Sequence, residues 1–193
     1  MIKITTKNEI RNKLKKKRIL LSKNERDIAS KSIYKKIITS SIFLNSKKIA
    51  FYYPIKGEIN PIPIMQEAFN RNKEVFLPVL TNFPKYQIKF QAFSFQNKIE
   101  KNKFQINQPR FNHVQTISPW AIDLVFVPLV AFDQNNNRLG MGMGYYDRKF
   151  HYLLNRQRWI KPKLIGLAYD FQQIKTIKAN SWDVKLNKVF TDK

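Results

Sequence analysis

The sequence predicts an α/β fold in which helices flank an open, mostly parallel sheet. Three observations predict it. Short runs rich in β-branched and aromatic residues alternate with segments of helical period along the chain. Two of those runs, Leu124–Val127 and Lys163–Tyr169, are apolar almost throughout, the pattern of parallel strands buried on both faces. A glycine cluster follows the first of them, and open sheets hold ligands beyond the carboxyl ends of their strands. Together these imply a Rossmann-like, three-layer arrangement, with the whole chain, 1–193, as one domain.

The elements follow in order. Residues 7–20 set Ile10 and Leu14 four apart among lysines, as on one helix face, and contain the basic run Lys15–Arg18. That run reads equally as a solvated face or as an anion contact. Ser22-x-x-Glu25 is a capping box opening a second helix whose buried stripe is Ala29, Ile33 and Ile37. Lys48–Tyr53 is a strand ended by Pro54, followed by a proline-containing loop and a short helix over Ile64–Asn70. Glu74–Val79 is a second strand, and Gln87–Phe95 alternates as a more exposed third. Residues 97–119 are polar and without period, which predicts a long surface loop with a turn at Gln108-Pro109. Beyond the strand Leu124–Val127 and the glycine loop come a helix over Tyr145–Asn155, the strand Lys163–Tyr169 and a last strand, Lys188–Thr191.

Composition excludes several classes. The longest apolar stretch, Leu124–Phe132, contains Pro128 and is about half a membrane span. No apolar leader precedes a small-residue cleavage site. The absence of cysteine rules out disulfides and thiolate metal sites. A soluble, cytoplasmic, monomeric protein without a membrane partner is expected. The formal charge of +23 admits two readings. It can serve polyanion binding, nucleic acid included, or reflect a genome whose AT-rich codons favour Lys, Asn, Ile, Phe and Tyr. The spread of lysines along the whole chain favours the second, so no specific nucleic-acid partner is expected.

Against this background, Gly140, Gly142 and Gly144 are three of only five glycines, set at alternate positions between Arg138 and Tyr145-Tyr146-Asp147-Arg148. Glycine is needed where backbone takes φ > 0 or approaches another atom closely. A phosphate cradle needs both, and a packing turn is the alternative. The spacing is neither the dinucleotide fingerprint nor a Walker loop. A carboxylate beside a phosphate repels it unless a cation intervenes, and Mg²⁺ suits that place. The two histidines, His113 and His151, have no carboxylate-bearing neighbour in sequence that suggests catalysis.

The string from Asp123 to Asp133, followed by Asn137-Arg-Leu-Gly-x-Gly-x-Gly-Tyr-Tyr-Asp147, resembles the signature of the 5-formyltetrahydrofolate cyclo-ligase family. Lys7-x-x-x-Arg11, Tyr53–Ile59, Leu164–Tyr169 and Asn180–Thr191 resemble further family segments in the same order. Met141 and Met143 depart from it, standing where members often carry basic or other residues. The resemblance implies ATP-dependent conversion of 5-formyltetrahydrofolate to 5,10-methenyltetrahydrofolate, with ADP and phosphate released through a phosphorylated formyl group. It implies ATP binding by Lys7, Asn8, Glu9, Ile10 and Arg11, and by Arg138, Leu139, Gly140, Met141, Gly142, Met143, Gly144, Tyr145 and Tyr146. Arg138, Tyr145 and Tyr146 would be catalytic, Asp147 and Asp183 would hold Mg²⁺, and Tyr53 and Glu58 would contact the folate. For Glu58 the chemistry agrees, because a pterin ring offers adjacent N–H donors to a carboxylate. Two classes compete: a nucleic-acid-binding protein, resting on charge and aromatic content, and a different sugar-phosphate or nucleotide enzyme on a related sheet, which keeps the glycine loop but gives Glu58 and Tyr53 no role.

Overall fold

Strand order fixes the architecture. The computed structural model describes residues 6–81, 87–155 and 160–193. Helices α1 (Lys7–Leu20), α2 (Lys23–Ile38) and α3 (Ser41–Leu44) precede β1 (Lys48–Ala50). Helix α4 (Ile62–Asn70) leads to β2 (Glu74–Leu80) and β3 (Ile88–Ala92), then to β4 (Ile99–Lys101), β5 (Asn107–Pro109) and β6 (Thr116–Ile117). The chain continues through β7 (Leu124–Val127), β8 (Ala131–Phe132), β9 (Arg138–Leu139), α5 (Tyr145–Phe150), β10 (Lys163–Ala168) and β11 (Lys188–Thr191). Seven of the strands form one sheet in the order β11-β10-β7-β1-β2-β3-β6, parallel from β11 to β2 and antiparallel at β3 and β6. The α/β reading of the sequence holds, with two antiparallel strands at one edge. Among the described residues no helix is long and apolar enough to cross a membrane.

Side-chain alternation gives the sheet two buried faces. Ile49, Val75, Leu77, Leu124, Phe126, Ile165 and Leu167 meet Ile33, Ile37 and Ile64 of α2 and α4. Ala50, Phe76, Val125, Val127 and Leu164 point the other way, toward Phe150 and Leu153. The capping box read at Ser22 is present, and α1 carries a second one, where Glu9 N–H donates to Thr6 Oγ1 at 3.2 Å and Thr6 N–H to Glu9 Oε2 at 2.7 Å.

Four expectations need correction. Residues 97–119 are not one loop: β4 and β5 form a hairpin, β6 joins the main sheet, and Gln108-Pro109 lies in a strand rather than a turn. Amide side chains rather than apolar pattern hold this region. Buried Gln108 accepts from Leu80 N–H at 3.0 Å, and buried Gln91 donates to Arg110 O at 3.0 Å and accepts from Asn112 N–H at 2.7 Å. The third strand is therefore mostly buried, its polar Gln91 included. The strand placed over Lys48–Tyr53 pairs only as far as Ala50. The helix over Tyr145–Asn155 is α-helical only to Phe150, then tightens into a 3₁₀ turn over His151–Leu154.

Gly166 sits in β10 where a Cβ would lie 2.5 Å from Leu129 Cδ2 and 2.9 Å from Leu186 Cδ1. Overpacking of this kind costs about 1–3 kcal/mol. Gly166→Ala should lose that much in urea denaturation, with the slope of the transition unchanged.

Candidate active site

The sheet reverses its direction of growth between β1 and β7: β1 continues to β2 on one side, β7 to β10 on the other. Loops leaving two such strands diverge and open a crevice beyond their carboxyl ends. Here the loop after β1 carries Tyr53–Glu58, the segment after β7 carries Pro128 to Asp147, and α1 closes the side. Between them lies a cleft of about 970 Å³.

The segment after β7 first makes a small ribbon, β8 against β9. Asp133, 1% exposed, organises its turn by accepting from the N–H groups of Asn135, Asn137 and Ile177 at 2.9–3.0 Å. Burial pushes the Asp133 carboxyl up, but these bonds and one from the Asn137 side chain hold it below the usual range. The ribbon ends at the glycine loop, where Gly142 and Gly144 take φ of +106° and +63°, conformations that L side chains rarely adopt. Two guanidinium groups grip the loop by its carbonyls: Arg11 Nε donates to Gly140 O at 2.9 Å and Arg148 Nη2 to Met143 O at 2.6 Å. Among the described residues, no protein acceptor engages a backbone N–H from Gly140 to Gly144. A run of unpaired N–H groups beside cations has the chemistry to cradle an anion.

Arg138 is buried and donates to Val184 O and, at 2.6 Å, to Asp147 Oδ1. The same oxygen accepts from Val184 N–H at 3.1 Å. Asp183 accepts from Asn180 N–H at 2.8 Å and stands 3.8 Å from Lys7 Nζ. Asp147 of α5 and Asp183 of the C-terminal segment thus come to one end of the cleft, joined through Val184 N–H and each already balanced by a cation. No cluster of three metal-ligating side chains occurs among the described residues.

At the other end stands Glu58. One oxygen accepts from Ile55 N–H at 3.1 Å; the other lies 3.5 Å from Arg18 Nη2, an ion pair without a hydrogen bond. Arg18 is 1% exposed and donates to Lys56 O at 3.0 Å and Leu129 O at 3.2 Å. Burial pushes the Glu58 carboxyl up to about 7, outweighing the pull of Arg18 and of the Ile55 bond. Tyr52 and Tyr146 border it, their phenols raised first by burial and then by the Glu58 charge.

Most of the residues named from the sequence line this cleft: Lys7, Arg11, Tyr53, Glu58, Arg138 through Asp147, and Asp183. Asn8, Glu9 and Ile10 do not. Asn8 accepts from Arg11 Nη1 at 2.7 Å, Glu9 completes the α1 cap, and Ile10 packs on the Val130–Leu139 cluster. Helix phase explains this, since only every third or fourth residue of α1 can face the cleft. Sequence reading missed the far wall, where the β4–β5 hairpin contributes Asn102, Phe104, Ile106 and Asn107. Phe104 meets the Tyr145 ring edge-on at 6.1 Å. That wall's one signal in the sequence was Phe104, one of two aromatic residues, with Phe111, in the polar stretch 97–119.

Unpaired backbone N–H groups beside cations and a buried carboxyl share one cleft at a sheet's switch point, the place where α/β enzymes hold their ligands. Residues 3–192 match the model of the 5-formyltetrahydrofolate cyclo-ligase family, and the chain belongs to that family. The chain is 35% identical over 183 residues to the 5-formyltetrahydrofolate cyclo-ligase of Haemophilus influenzae, covering 93% of this chain and 94% of that protein. Its fold is similar to that of Aquifex aeolicus 5,10-methenyltetrahydrofolate synthetase, with TM-score 0.78 and 32% identity over 97% of this chain and 90% of that one. A Mycoplasma pneumoniae 5,10-methenyltetrahydrofolate synthetase gives TM-score 0.73 and 30% identity over 97% and 99%.

Because Glu58 is protonated more readily when folded than when unfolded, its contribution to stability is complete below about pH 4.5 and is lost as pH rises through about 7. The full loss is about 3 kcal/mol. Urea denaturation between pH 4.5 and 8 should show wild type losing stability relative to Glu58→Gln by about that amount. A difference that stays flat with pH would contradict the raised pKa.

Proposed function

We propose that this chain, acting as one catalytic domain over residues 1–193, converts 5-formyltetrahydrofolate and ATP to 5,10-methenyltetrahydrofolate, ADP and phosphate. The observation that carries the reading is the polarity of the cleft, with an unpaired N–H cradle and cations at one end and a buried, ligand-facing carboxyl at the other. ATP lies with its phosphates along Gly140–Gly144, near Lys7 and Arg11. The pterin lies against Tyr53 with its N–H donors toward Glu58, whose second oxygen accepts no hydrogen bond among the described residues. Phe104 and Tyr145 enclose the substrate from the far wall.

The formyl oxygen attacks the γ-phosphorus and the bond to the bridging oxygen breaks, releasing ADP. N10 then attacks the activated formyl carbon, N10 loses its proton, and the C–O bond breaks with departure of phosphate. Such transfer depends mainly on positioning and charge stabilisation. Arg138 has a different part from a free phosphate ligand: tied to Val184 and Asp147, it fixes the shape of the loop from inside and adds positive charge behind it. Tyr146, kept protonated by burial, supplies a hydrogen-bond donor.

Asp147 Oδ2 has no donor among the described residues, and Asp183 follows from the neighbouring segment. This set fits Mg²⁺, which takes one or two carboxylates together with phosphate oxygens and water. Bound there, Mg²⁺ supplies charge neutralisation on the phosphates.

Incubation of the protein with 5-formyltetrahydrofolate, ATP and Mg²⁺ should produce the near-ultraviolet absorbance of the methenyl product. Folded protein without an ATP-dependent rise would sink the reading. Gly142→Val, which strains φ at +106° and sets a side chain 3.7 Å from the Arg11 guanidinium, should weaken ATP binding at least about tenfold in calorimetric titration. Its melting temperature should stay within a few degrees of wild type. Unchanged ATP affinity would reduce the loop to a packing turn.

A further inference from the structure

The N-terminal helix carries cations at positions 7, 11, 15 and 18, spacings of four, four and three that place them on one face. Three of the four have partners. Lys7 faces Asp183, Arg11 holds Gly140 O and Asn8, and Arg18 is enclosed around Glu58. Lys15 lines the cleft between them with neither hydrogen bond nor ion pair among the described residues. At a helical rise of about 1.5 Å per residue, its Cα is about 6 Å along the axis from that of Arg11 and about 4.5 Å from that of Arg18. It therefore stands at the middle of the cleft, between the phosphate cradle and the carboxyl. Lys56 comes to the same place from the loop after β1 and also lines the cleft. Burial first, then the charges of Lys56, Arg11 and Arg18, lower the Lys15 pKa. A half-buried ammonium among like charges, with no acid beside it, is costly without an anionic ligand.

We propose that Lys15 is a further catalytic residue: its ammonium contacts the phosphoryl group as it passes from the nucleotide to the formyl oxygen. The proposal rests on the cyclo-ligase reading above and adds to it the group at the point of transfer. The phosphoryl group changes partners between the two ends of the cleft, and Lys15, on the rigid helix with Lys56 of the loop beside it, reaches the middle without a prior engagement among the described residues. The basic run Lys15–Arg18 thus divides by helix phase. Lys15 turns to the reacting group, Arg18 to the fold, Lys16 to solvent, and Lys17 lies over the Phe171 ring at 4.3 Å.

The absence of cysteine from the chain permits a clean test. Wild type is assayed first, and an inert wild type would overturn the cyclo-ligase reading itself. With an active wild type, Lys15→Met should lower kcat about 100-fold, the scale for loss of one electrostatic contact to a transition state. KM for 5-formyltetrahydrofolate and Kd for ATP should stay within about threefold. Lys16→Met makes the same charge change on the solvent face and should keep wild-type kcat. Lys15→Cys should be as slow as Lys15→Met, and its alkylation with 2-bromoethylamine, which rebuilds a lysine-like ammonium, should restore at least about a tenth of wild-type kcat. The proposal is overturned if Lys15→Met keeps wild-type kcat, if Lys16→Met loses as much, or if its only effect is a higher KM. Complete aminoethylation by mass without recovery of rate overturns it too.

Discussion

The arrangement depends on one buried contact, the Arg18 guanidinium against the Glu58 carboxyl. Arg18 comes from α1, Glu58 from the loop after β1, and the carbonyl of Leu129, which Arg18 also holds, from the segment after β7. One side chain therefore ties together the three pieces of chain that bound the cleft. The backbones are close enough that a Cβ on Gly57 would lie 2.7 Å from Arg18 O, and Gly57 takes φ of +73° to allow it. Tyr169, from the end of β10, closes the same knot by donating to Gly57 O at 3.0 Å. Such a pair contributes little net stability after desolvation, but removing one partner leaves a buried charge alone. Its main effect is geometric: it sets α1 in the phase that turns its other cations into the cleft.

The two ends of the cleft use different physics. At the glycine loop the protein gathers cations that hold the loop by its carbonyls and, among the described residues, leaves the backbone N–H groups from Gly140 to Gly144 without a protein acceptor. At Glu58 it removes water instead, and the carboxyl is held near neutrality by burial against a guanidinium that pulls the other way. The Arg138–Asp147 pair belongs to neither end. It braces the loop from behind, linking β9, α5 and the C-terminal segment through a single carboxylate oxygen.

How much of this could be read from sequence depends on what kind of signal each feature leaves. Buried strands leave apolar runs, so β7, β10 and β11 were legible, as were the capping box at Ser22 and the glycine loop, whose residue type is scarce elsewhere in the chain. Arg18 was not, because it stands in a run of four cations and only the helix phase of Leu14 and Arg18 shows which one turns inward. For the same reason a contiguous binding segment over residues 7–11 was too coarse. The hairpin wall was illegible for a different reason: β4 is fully exposed and has no apolar pattern, and its attachment runs through neutral amides that look like loop residues.

That attachment has a consequence for the cleft as a machine. The far wall is joined to the sheet by Gln91 and Gln108, 1% and 4% exposed, each giving and accepting hydrogen bonds without carrying charge. On a molecule of formal charge +23, attraction for an anionic ligand weakens as salt rises. An amide joint does not feel salt or ordinary changes of pH. The enzyme thus separates charge from shape: its attraction for anions follows the ionic conditions, while the hairpin wall of the cleft keeps its dimensions through them.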